Sequence, residues 1–299
     1  MESINGSDNP DTTSSEQFQP AQLTISRVLN ETPESKYIAL ECSDKFSHKA
    51  VVTLSQLHLQ LKDAAEILKT TDNVTHDFTN DIYKQYRVQF TNDVKVNVIH
   101  PATEKHILKY SAKKLHIFRE TPEMYKKIVE KHVNENYMDL EWVYNILDHK
   151  SESDRIVLEK EHFIMLPDMK WDGNVSSLYL MCLIKQRGIK SIRDLRSSHI
   201  PMLESVQQEA GEAIKAKYGL PCSQLRFYFH YHPTYFHLHV HVTKLDYFPP
   251  GCSTEKAHLL DNVINNLRIS DNYYEIATLP VVTHEDDSLY QILKNQNLI

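Results

Sequence analysis

From residue 237 the chain reads His237-Leu238-His239-Val240-His241-Val242, so that three histidines alternate strictly with apolar residues. Because successive side chains of a β-strand point to opposite faces, this spacing predicts one row of three imidazoles and a core-facing set of apolar side chains. Two further histidines, His230 and His232, precede the run, with Pro233 after them. The pattern therefore predicts a sheet that presents clustered imidazoles on one face.

The sequence around this run predicts a second domain over residues 140–299. Strand-like patterns occur at 156–159, 163–166, 225–231, 236–243 and 274–281, and helix-like patterns at 175–186, 201–218 and 255–267. The helix at 201–218 is the best marked, because Pro201 stands at its start and Gly219 just past its end. Helices beside neighbouring antiparallel strands indicate an α+β fold.

The sequence before residue 140 predicts three further segments. Residues 1–18 are polar and are expected to be a disordered tail. Residues 19–114 predict a small mixed α+β domain, with strands at 23–29, 36–42, 50–54 and 94–100 and helices at 55–68 and 103–111. Residues 115–139 are expected to be a hinge and linker helix, because Thr121-Pro122 is a typical helix start.

Composition limits the class of protein. With 299 residues, of which 41% are hydrophobic, two ordinary domains are expected. The four cysteines lie far apart without a Cys-x-x-Cys pair, so neither a disulfide framework nor a zinc-thiolate site is indicated. We also find no apolar run of the roughly 20 residues that cross a bilayer and no signal pattern. We therefore expect a cytoplasmic protein without a membrane partner, and leave a nuclear pool open.

The net charge of −7 bears on nucleic-acid binding. Long nucleic acid is bound through many phosphates and usually requires a stripe of Lys and Arg, which this sequence does not contain. A small anionic ligand needs only a few well-placed cations. The charge therefore argues against long nucleic acid and leaves a nucleotide open.

Three interpretations fit the row of imidazoles. The histidines could form an exposed polar face, or they could bind a metal ion, since neutral imidazole is a common zinc ligand. A metal site usually recruits ligands from separate elements, however, and no carboxylate or thiolate is close in sequence. The third interpretation is nucleophilic catalysis at phosphorus, in which one imidazole attacks a phosphoryl group and its neighbours fix its tautomer and stabilise charge.

This run resembles the signature of the histidine triad family of nucleotide hydrolases and transferases. The resemblance implies that His239 is the nucleophile, that His241 contacts the scissile phosphate, and that His237 helps to set the orientation.

Further segments resemble the scavenger mRNA-decapping enzymes within that family, over residues 22 to near the C-terminus. They are Arg119-Glu120-Thr121-Pro122-Glu123, Trp142-Val143-Tyr144-Asn145-Ile146-Leu147-Asp148, Leu166-Pro167-Asp168-Met169-Lys170-Trp171, Ile192-Arg193-Asp194-Leu195 and His230-Tyr231-His232-Pro233. This resemblance implies a homodimer that hydrolyses cap dinucleotide and short capped RNA to release N7-methylguanosine monophosphate, with no cofactor and no metal.

The same resemblance implies a set of binding residues. Trp142 would stack on the methylated guanine, and Glu152 would accept hydrogen bonds from it; without the resemblance they would be a core aromatic residue and a solvated loop charge. The other implied binding residues are Pro167, Asp168 and Lys170 over the base and ribose, His230, Thr234, Tyr235 and Lys256 near the phosphates, and Asn80, Tyr83 and Lys109 from the first domain.

Three positions depart from the family pattern. The loop reads Pro233-Thr234-Tyr235-Phe236 where Pro-Ser-Tyr-Tyr is expected, and Lys256 stands where arginine is often found. Two alternatives therefore remain: a cap-binding regulatory protein with weak hydrolysis, and a hydrolase of unmethylated dinucleoside polyphosphates. The sequence assigns no role to His232.

Overall fold

The computed structural model describes residues 20–33, 35–56, 61–69, 74–80, 83–89, 93–137, 139–249 and 251–299. The chain divides into two compact units, Met1–Ala112 and Lys113–Ile299. The expected tail at residues 1–18 lies outside the described residues.

The first unit contains a four-stranded antiparallel sheet in the order β1-β2-β3-β6 and a separate hairpin, β4-β5. Its elements are β1 (Thr24–Thr32), β2 (Tyr37–Ser43), β3 (Lys49–Gln56), α1 (Leu61–Ile67), β4 (Val74–Asn80), β5 (Tyr83–Val88), β6 (Val94–Ile99) and α2 (Glu104–Tyr110).

The core of the first unit explains why its four sheet strands are recognisable in the sequence. Alternating side chains of the sheet form two small clusters on opposite faces, and α2 adds Ile107 to one of them. The four predicted strands are confirmed, and so is the helix at 103–111. The hairpin β4-β5 was not predicted, because its strands are short, polar and largely exposed and so lack the apolar alternation that marks a strand.

The second unit is built on a six-stranded antiparallel sheet in the order β13-β11-β12-β10-β9-β8, with a second two-stranded sheet, β7-β14. Its elements are β7 (Leu115–Glu120), α3 (Pro122–Met124), a π-helical turn (Tyr125–Val129), α4 (Glu130–Asn136), α5 (Glu141–Leu147), β8 (Leu158–Glu159), β9 (Phe163–Pro167), β10 (Tyr179–Ile184), α6 (Ile200–Tyr218), β11 (Leu225–His230), β12 (His239–Lys244), β13 (Ala257–Leu259), α7 (Leu260–Ile269), α8 (Tyr273–Ile276), β14 (Leu279–His284) and α9 (Ser288–Asn295).

The two faces of the six-stranded sheet have different partners. Val240 and Val242 of β12 point into the main core, which also contains residues of α6 and α7. Met181 and Leu183 of β10 belong to a smaller cluster with residues of α5. Since Met181 pairs with His241 and Leu183 with His239, the histidines lie on the face that α5 covers.

The segment 175–186 was wrongly predicted as a helix. A short 3-10 turn occupies Val175–Ser177, and Tyr179–Ile184 forms β10, which pairs with β9 and β12. All six residues of β10 are buried. A strand covered on both faces is a continuous apolar run, and periodicity cannot distinguish it from a buried helix.

The termini of two helices agree with the sequence signals. Helix α6 begins at Ile200 with Pro201 in its first turn and ends before Gly219, whose φ of 74° is the left-handed conformation that glycine adopts without a steric cost. Thr121 caps the helix that was predicted to start at Thr121-Pro122, because its side chain accepts a hydrogen bond from the Met124 amide. The described residues of segment 115–139 all lie in the second unit, where Phe118, Val129 and Val133 pack in its main core.

Within the part of the chain that the structure describes, no helix has both the length and the apolar character required to cross a membrane.

Candidate active site

A cavity of about 240 Å³ lies in the second unit, lined by residues of the six-stranded sheet and of α5. It brings together ten of the predicted site residues: Trp142, Glu152, Pro167, Asp168, Lys170, His230, Thr234, Tyr235, His239 and His241. Ile146, Arg155, Leu166, Met169, Tyr179 and Met181 complete the lining. Side chains up to a hundred residues apart in the sequence thus surround one volume.

His239 occupies the first position of β12 and is held in one tautomer. Its Nδ1 lies 2.7 Å from the backbone oxygen of His237, and a carbonyl only accepts, so Nδ1 must carry the proton. Burial lowers the pKa of His239 to about 4, even though this hydrogen bond opposes the shift. At neutral pH the ring is therefore uncharged, with its lone pair on Nε2, which is the form that a nucleophile requires.

His241 and His230 stand beside this ring and lack partners for one nitrogen each. Their ring centroids are 4.1 Å apart, and the His241 ring is 4.8 Å from that of His239. His241 Nδ1 contacts the Tyr179 hydroxyl at 3.2 Å, whereas Nε2 of His241 and Nε2 of His230 are buried without a hydrogen-bond partner among the described residues. An unpaired buried polar atom costs free energy, so a ligand oxygen that accepts from these nitrogens would be stabilised here.

The protein environment around these histidines favours an anion. Burial lowers the pKa of His230 to about 3, and the positive charges of Lys256 and Lys170 add to the shift. The pKa of Lys256 is itself lowered by burial and by Lys170. A bound phosphate would offset the electrostatic repulsion between these cations.

His237 differs from the predicted row. Regular strand structure begins only at His239, and His237 does not line the cavity. Its Nε2 lies 2.7 Å from the backbone oxygen of Ile184, and its ring packs edge-on against Tyr144. His237 therefore contacts His239 through its backbone oxygen, while its imidazole contacts Ile184 and Tyr144.

Aromatic rings connect the nucleophile candidate to α5. The Tyr235 ring stacks on His239, with centroids 4.2 Å apart and an interplanar angle of 16°, and Trp142 packs edge-on against Tyr235 at 4.8 Å. The Tyr235 hydroxyl contacts the sulfur of Met181. Trp142 remains 41% exposed, so much of its indole is accessible to a ligand.

Glu152 is fixed by a residue that the sequence did not single out. Arg155 donates from Nη1 to the Glu152 carboxylate and from Nη2 to the backbone oxygen of Pro167 at 3.2 Å. It thereby connects the predicted base acceptor to the predicted segment over the base. The spacing of three residues between Glu152 and Arg155 was the available signal, since side chains at that separation often pair. Asp168 accepts a hydrogen bond from the Lys170 amide, which closes the turn after β9.

Thr234, Phe236 and Lys256, the positions that depart from the family pattern, lie together beside a second cavity of about 310 Å³. Thr234 lines both cavities. Phe236 is buried in the main core against the rings of Tyr137 and His232, so the hydroxyl absent at this position would not lie in the first cavity.

The three predicted residues of the first domain lie in the first unit. Asn80 ends β4 and pairs through its backbone with Tyr83 at the start of β5. Lys109 lies in the last turn of α2, with its Nζ 5.6 Å from the ring centroid of Tyr110. Their roles in ligand binding stay predictions.

His232, to which the sequence analysis assigned no role, belongs to a buried charge network. Its Nε2 lies 2.7 Å from Glu120, which also pairs with Arg193 at 2.6 Å and accepts from the Tyr231 hydroxyl. Burial alone would raise the pKa of Glu120, but the hydrogen bond and charge of His232, followed by Arg193 and Tyr231, lower it. Arg193 also donates to the backbone oxygens of Glu120, Tyr274 and Ala277.

This network brings together three segments that carried the family resemblance, 119–123, 192–195 and 230–233. It holds β7 and the Ser191–Leu195 region against the loop that leads from β11 to His239. We interpret it as the support that positions this loop.

Backbone carbonyls orient two rings of the histidine row, since His237 and His239 each direct a ring nitrogen at one of them. Among the described residues, the group of three potential ligands that lies within metal-binding distance is Asp44, His48 and His100, in the first unit.

The lowered histidine pKa values predict how stability changes with pH. An unfolded His239 binds a proton as the pH falls through 6.5, whereas the folded residue does so only near 4, so the unfolding free energy decreases across that interval. Between about pH 7.5 and about pH 5.5 the loss is about 1 kcal/mol for each such histidine. Urea unfolding followed by tryptophan fluorescence measures it, since Trp142 and Trp171 both lie in the second unit. The His239→Asn variant is expected to lose about 1 kcal/mol less than the parent over this range; an equal loss would contradict the assignment.

A buried neutral histidine stands on the face of an antiparallel sheet beside two further imidazoles, which is the arrangement that the resemblance to the histidine triad family implied. The chain as a whole belongs to the scavenger mRNA decapping enzyme family. The family models that match are "Scavenger mRNA decapping enzyme (DcpS) N-terminal" over residues 20–113 and "Scavenger mRNA decapping enzyme C-term binding" over residues 141–257.

Individual relatives agree with this membership. A Bos taurus protein named m7GpppX diphosphatase is 38% identical over 284 residues, which cover 90% of this chain and 84% of the relative. An Ascaris suum protein of the same name is 46% identical over 220 residues, covering 71% of this chain and 73% of the relative. A solved structure, Hnt3 in complex with DNA and guanosine, covers 52% of this chain and 93% of its own at 12% identity, and its TM-score of 0.31 is too low to support an argument.

Proposed function

We propose that this chain is a scavenger decapping hydrolase, which cleaves the triphosphate bridge of an N7-methylguanosine cap in cap dinucleotide and short capped RNA. The observation that carries the proposal is His239, neutral and oriented in a cavity that also contains Trp142 and Glu152. The name m7GpppX diphosphatase, shared by the relatives, supports the reaction class.

The geometry supports a two-step reaction at the phosphorus next to the methylated nucleoside. Nε2 of His239 attacks this phosphorus, an N–P bond forms, and the P–O bond to the leaving diphosphate breaks. The imidazole becomes cationic, and the hydrogen bond from Nδ1 to the His237 oxygen stabilises that charge. Water then cleaves the N–P bond and releases N7-methylguanosine monophosphate. His241 and Lys170 line the same cavity, and in this proposal they stabilise the phosphate oxygens.

The same cavity offers two contacts for the methylated base. N7-methylation makes guanine cationic, and a cation over an indole face gains about 1 to 2 kcal/mol when desolvated. Trp142 presents such a face at the cavity. Glu152, oriented by Arg155, supplies a carboxylate that accepts hydrogen bonds from the N–H groups on the Watson–Crick edge of guanine. Adenine does not present two N–H groups in this pattern, so the contact favours guanine.

Comparing methylated with unmethylated cap dinucleotide tests this proposal. We expect the parent to prefer the methylated substrate in kcat/KM, and Trp142→Leu to lower kcat/KM for it by about 5- to 30-fold, because the stacking energy is lost. The ratio of kcat/KM for the methylated substrate to kcat/KM for the unmethylated substrate should fall in this variant as well. Trp171→Leu is the matched control: Trp171 does not line the cavity and bonds to the Asn174 oxygen. Equal rates on both substrates in the parent would favour a hydrolase of unmethylated dinucleotides.

Three further properties belong to the proposal. Family membership supports a homodimer, as do apolar side chains such as Ile25 and Val94, which are exposed on the outer strands of the first sheet. Sedimentation equilibrium tests it, and a monomer at micromolar concentration would contradict it.

We also propose that only short capped RNA is hydrolysed, and a series of capped RNAs of increasing length would test this. We further propose that the protein acts in the cytoplasm, and localisation of the tagged chain in cells would test this.

A further inference from the structure

Asp44, His48 and His100 form a compact group in the first unit, and none of them has a role in the proposed reaction. Asp44 and His48 belong to the turn between β2 and β3, and His100 follows β6, which pairs with β3. One potential ligand atom from each residue lies within 4.8 Å of the others. The sheet thus brings together side chains that are 56 positions apart in the sequence.

The carboxylate of Asp44 is oriented before any ligand binds. Its Oδ1 accepts hydrogen bonds from the backbone N–H groups of Phe46 and His48, at 2.8 and 2.9 Å. Its Oδ2 is directed at two imidazoles, with His48 Nδ1 and His100 Nε2 each at 3.0 Å. The turn therefore fixes one oxygen and presents the other to both histidines.

We propose that Asp44, His48 and His100 bind a divalent transition-metal ion, with zinc as the ion that this ligand set fits best. Two imidazole nitrogens and one carboxylate oxygen are one of the ligand sets that zinc takes in sites with three protein ligands, where water fills the remaining position. The ligand atoms already lie close to the separations they need around one ion, so the side chains would move little. Bound zinc would join the β2–β3 turn to the end of β6.

The location of the group favours access by an ion from solvent. The side chain of His48 is largely exposed, whereas those of Asp44 and His100 are mostly covered. Two fixed ligands and one accessible ligand allow an ion to enter and then be enclosed. Without an ion, the same carboxylate oxygen holds both imidazole N–H groups, and this hydrogen-bonded group is the competing explanation that the experiment separates.

Isothermal titration of the full chain with zinc, after treatment with a chelator, tests the proposal. We expect the parent to bind one zinc ion per chain at a site that His48→Ala and Asp44→Asn each weaken by at least about tenfold. Asp44→Asn keeps an oxygen for the two backbone N–H groups and removes the charge, so the turn is preserved. His149→Ala is the matched control, because His149 is an exposed histidine paired with one carboxylate, that of Glu159.

Cobalt and hydrogen exchange give independent readouts. Cobalt in the parent should show the intense visible absorption of a tetrahedral ion, and zinc should slow amide exchange in residues 44–49; both effects should be absent in His48→Ala and retained in His149→Ala. The proposal is overturned if parent and His48→Ala bind zinc equally, since all binding would then lie at other histidines. Folding of each variant is checked by its circular dichroism spectrum.

Discussion

The His239→Asn variant is expected to lose cap hydrolysis by about 10⁴-fold or more in kcat, a loss typical of removing a nucleophile. Asparagine has no nucleophilic nitrogen, but its side-chain amide can donate to the His237 oxygen as Nδ1 does in the parent. The local fold and the cavity should therefore persist. Steady-state hydrolysis of methylated cap dinucleotide measures the change, and equilibrium binding of the dinucleotide should be nearly unaffected.

The matched control for this variant is His162→Asn. His162 precedes β9 and does not line the cavity, so its replacement is expected to leave kcat within about twofold of the parent, as for surface substitutions elsewhere. Turnover by His239→Asn close to that of the parent would remove His239 as the nucleophile and favour direct attack by water. Loss of both turnover and dinucleotide binding would instead indicate a damaged cavity, which the fluorescence of Trp142 would report.

The largest expected effect on stability comes from Arg193→Met, which should lower the unfolding free energy by about 3 to 5 kcal/mol. The substitution leaves the Glu120 carboxylate buried without its 2.6 Å partner, and it also removes donors to the backbone oxygens of Tyr274 and Ala277. Breaking a buried pair on one side is costly because the remaining charge stays desolvated. Urea unfolding followed by tryptophan fluorescence measures the loss in the second unit.

Lys127→Met is the control for Arg193→Met. Lys127 also pairs with a carboxylate, that of Glu123, but both side chains are more than 70% exposed. Exposed pairs contribute about 0 to 1 kcal/mol, so little change is expected. The double variant Glu120→Gln with Arg193→Met should lose less than the sum of the two single variants, because Glu120→Gln removes the buried carboxylate that has lost its arginine partner. A loss below about 1 kcal/mol in Arg193→Met would contradict the role of the network.

The elements that the sequence predicts well are those whose two faces differ in polarity. Helix α6 buries one face, and its apolar spacing of three to four residues follows directly. Strand β12 is covered on both faces, but imidazoles occupy one face and valines the other, so its alternation is visible in the sequence. Strand β10 was mistaken for a helix because it is central in its sheet and buried on both faces. Hairpin β4-β5 was missed because its exposed residues carry no such spacing.

The sequence predicts those parts of the site whose residues lie close together along the chain. The alternation at 237–242 marked the imidazoles, and family resemblance named Trp142 and Glu152. Periodicity alone could not place α5 over the histidine face, because that contact depends on tertiary packing. The role of His232 was missed for the same reason, since Glu120 is 112 residues away in the sequence. The contact of Arg155 with Pro167, 12 residues away, also depends on packing, whereas its pairing with Glu152 was indicated by their spacing of three residues.

Hydrolysis of methylated cap dinucleotide in water enriched in oxygen-18 tests most directly the central claim that the phosphorus next to the methylated nucleoside is the one attacked. If His239 attacks the phosphorus next to the methylated nucleoside, the water that completes the reaction delivers its oxygen to that phosphorus. Mass spectrometry should then find the label in N7-methylguanosine monophosphate and none in the guanosine diphosphate. Label in the guanosine diphosphate would contradict the account, since water would then have attacked a phosphorus of the leaving group.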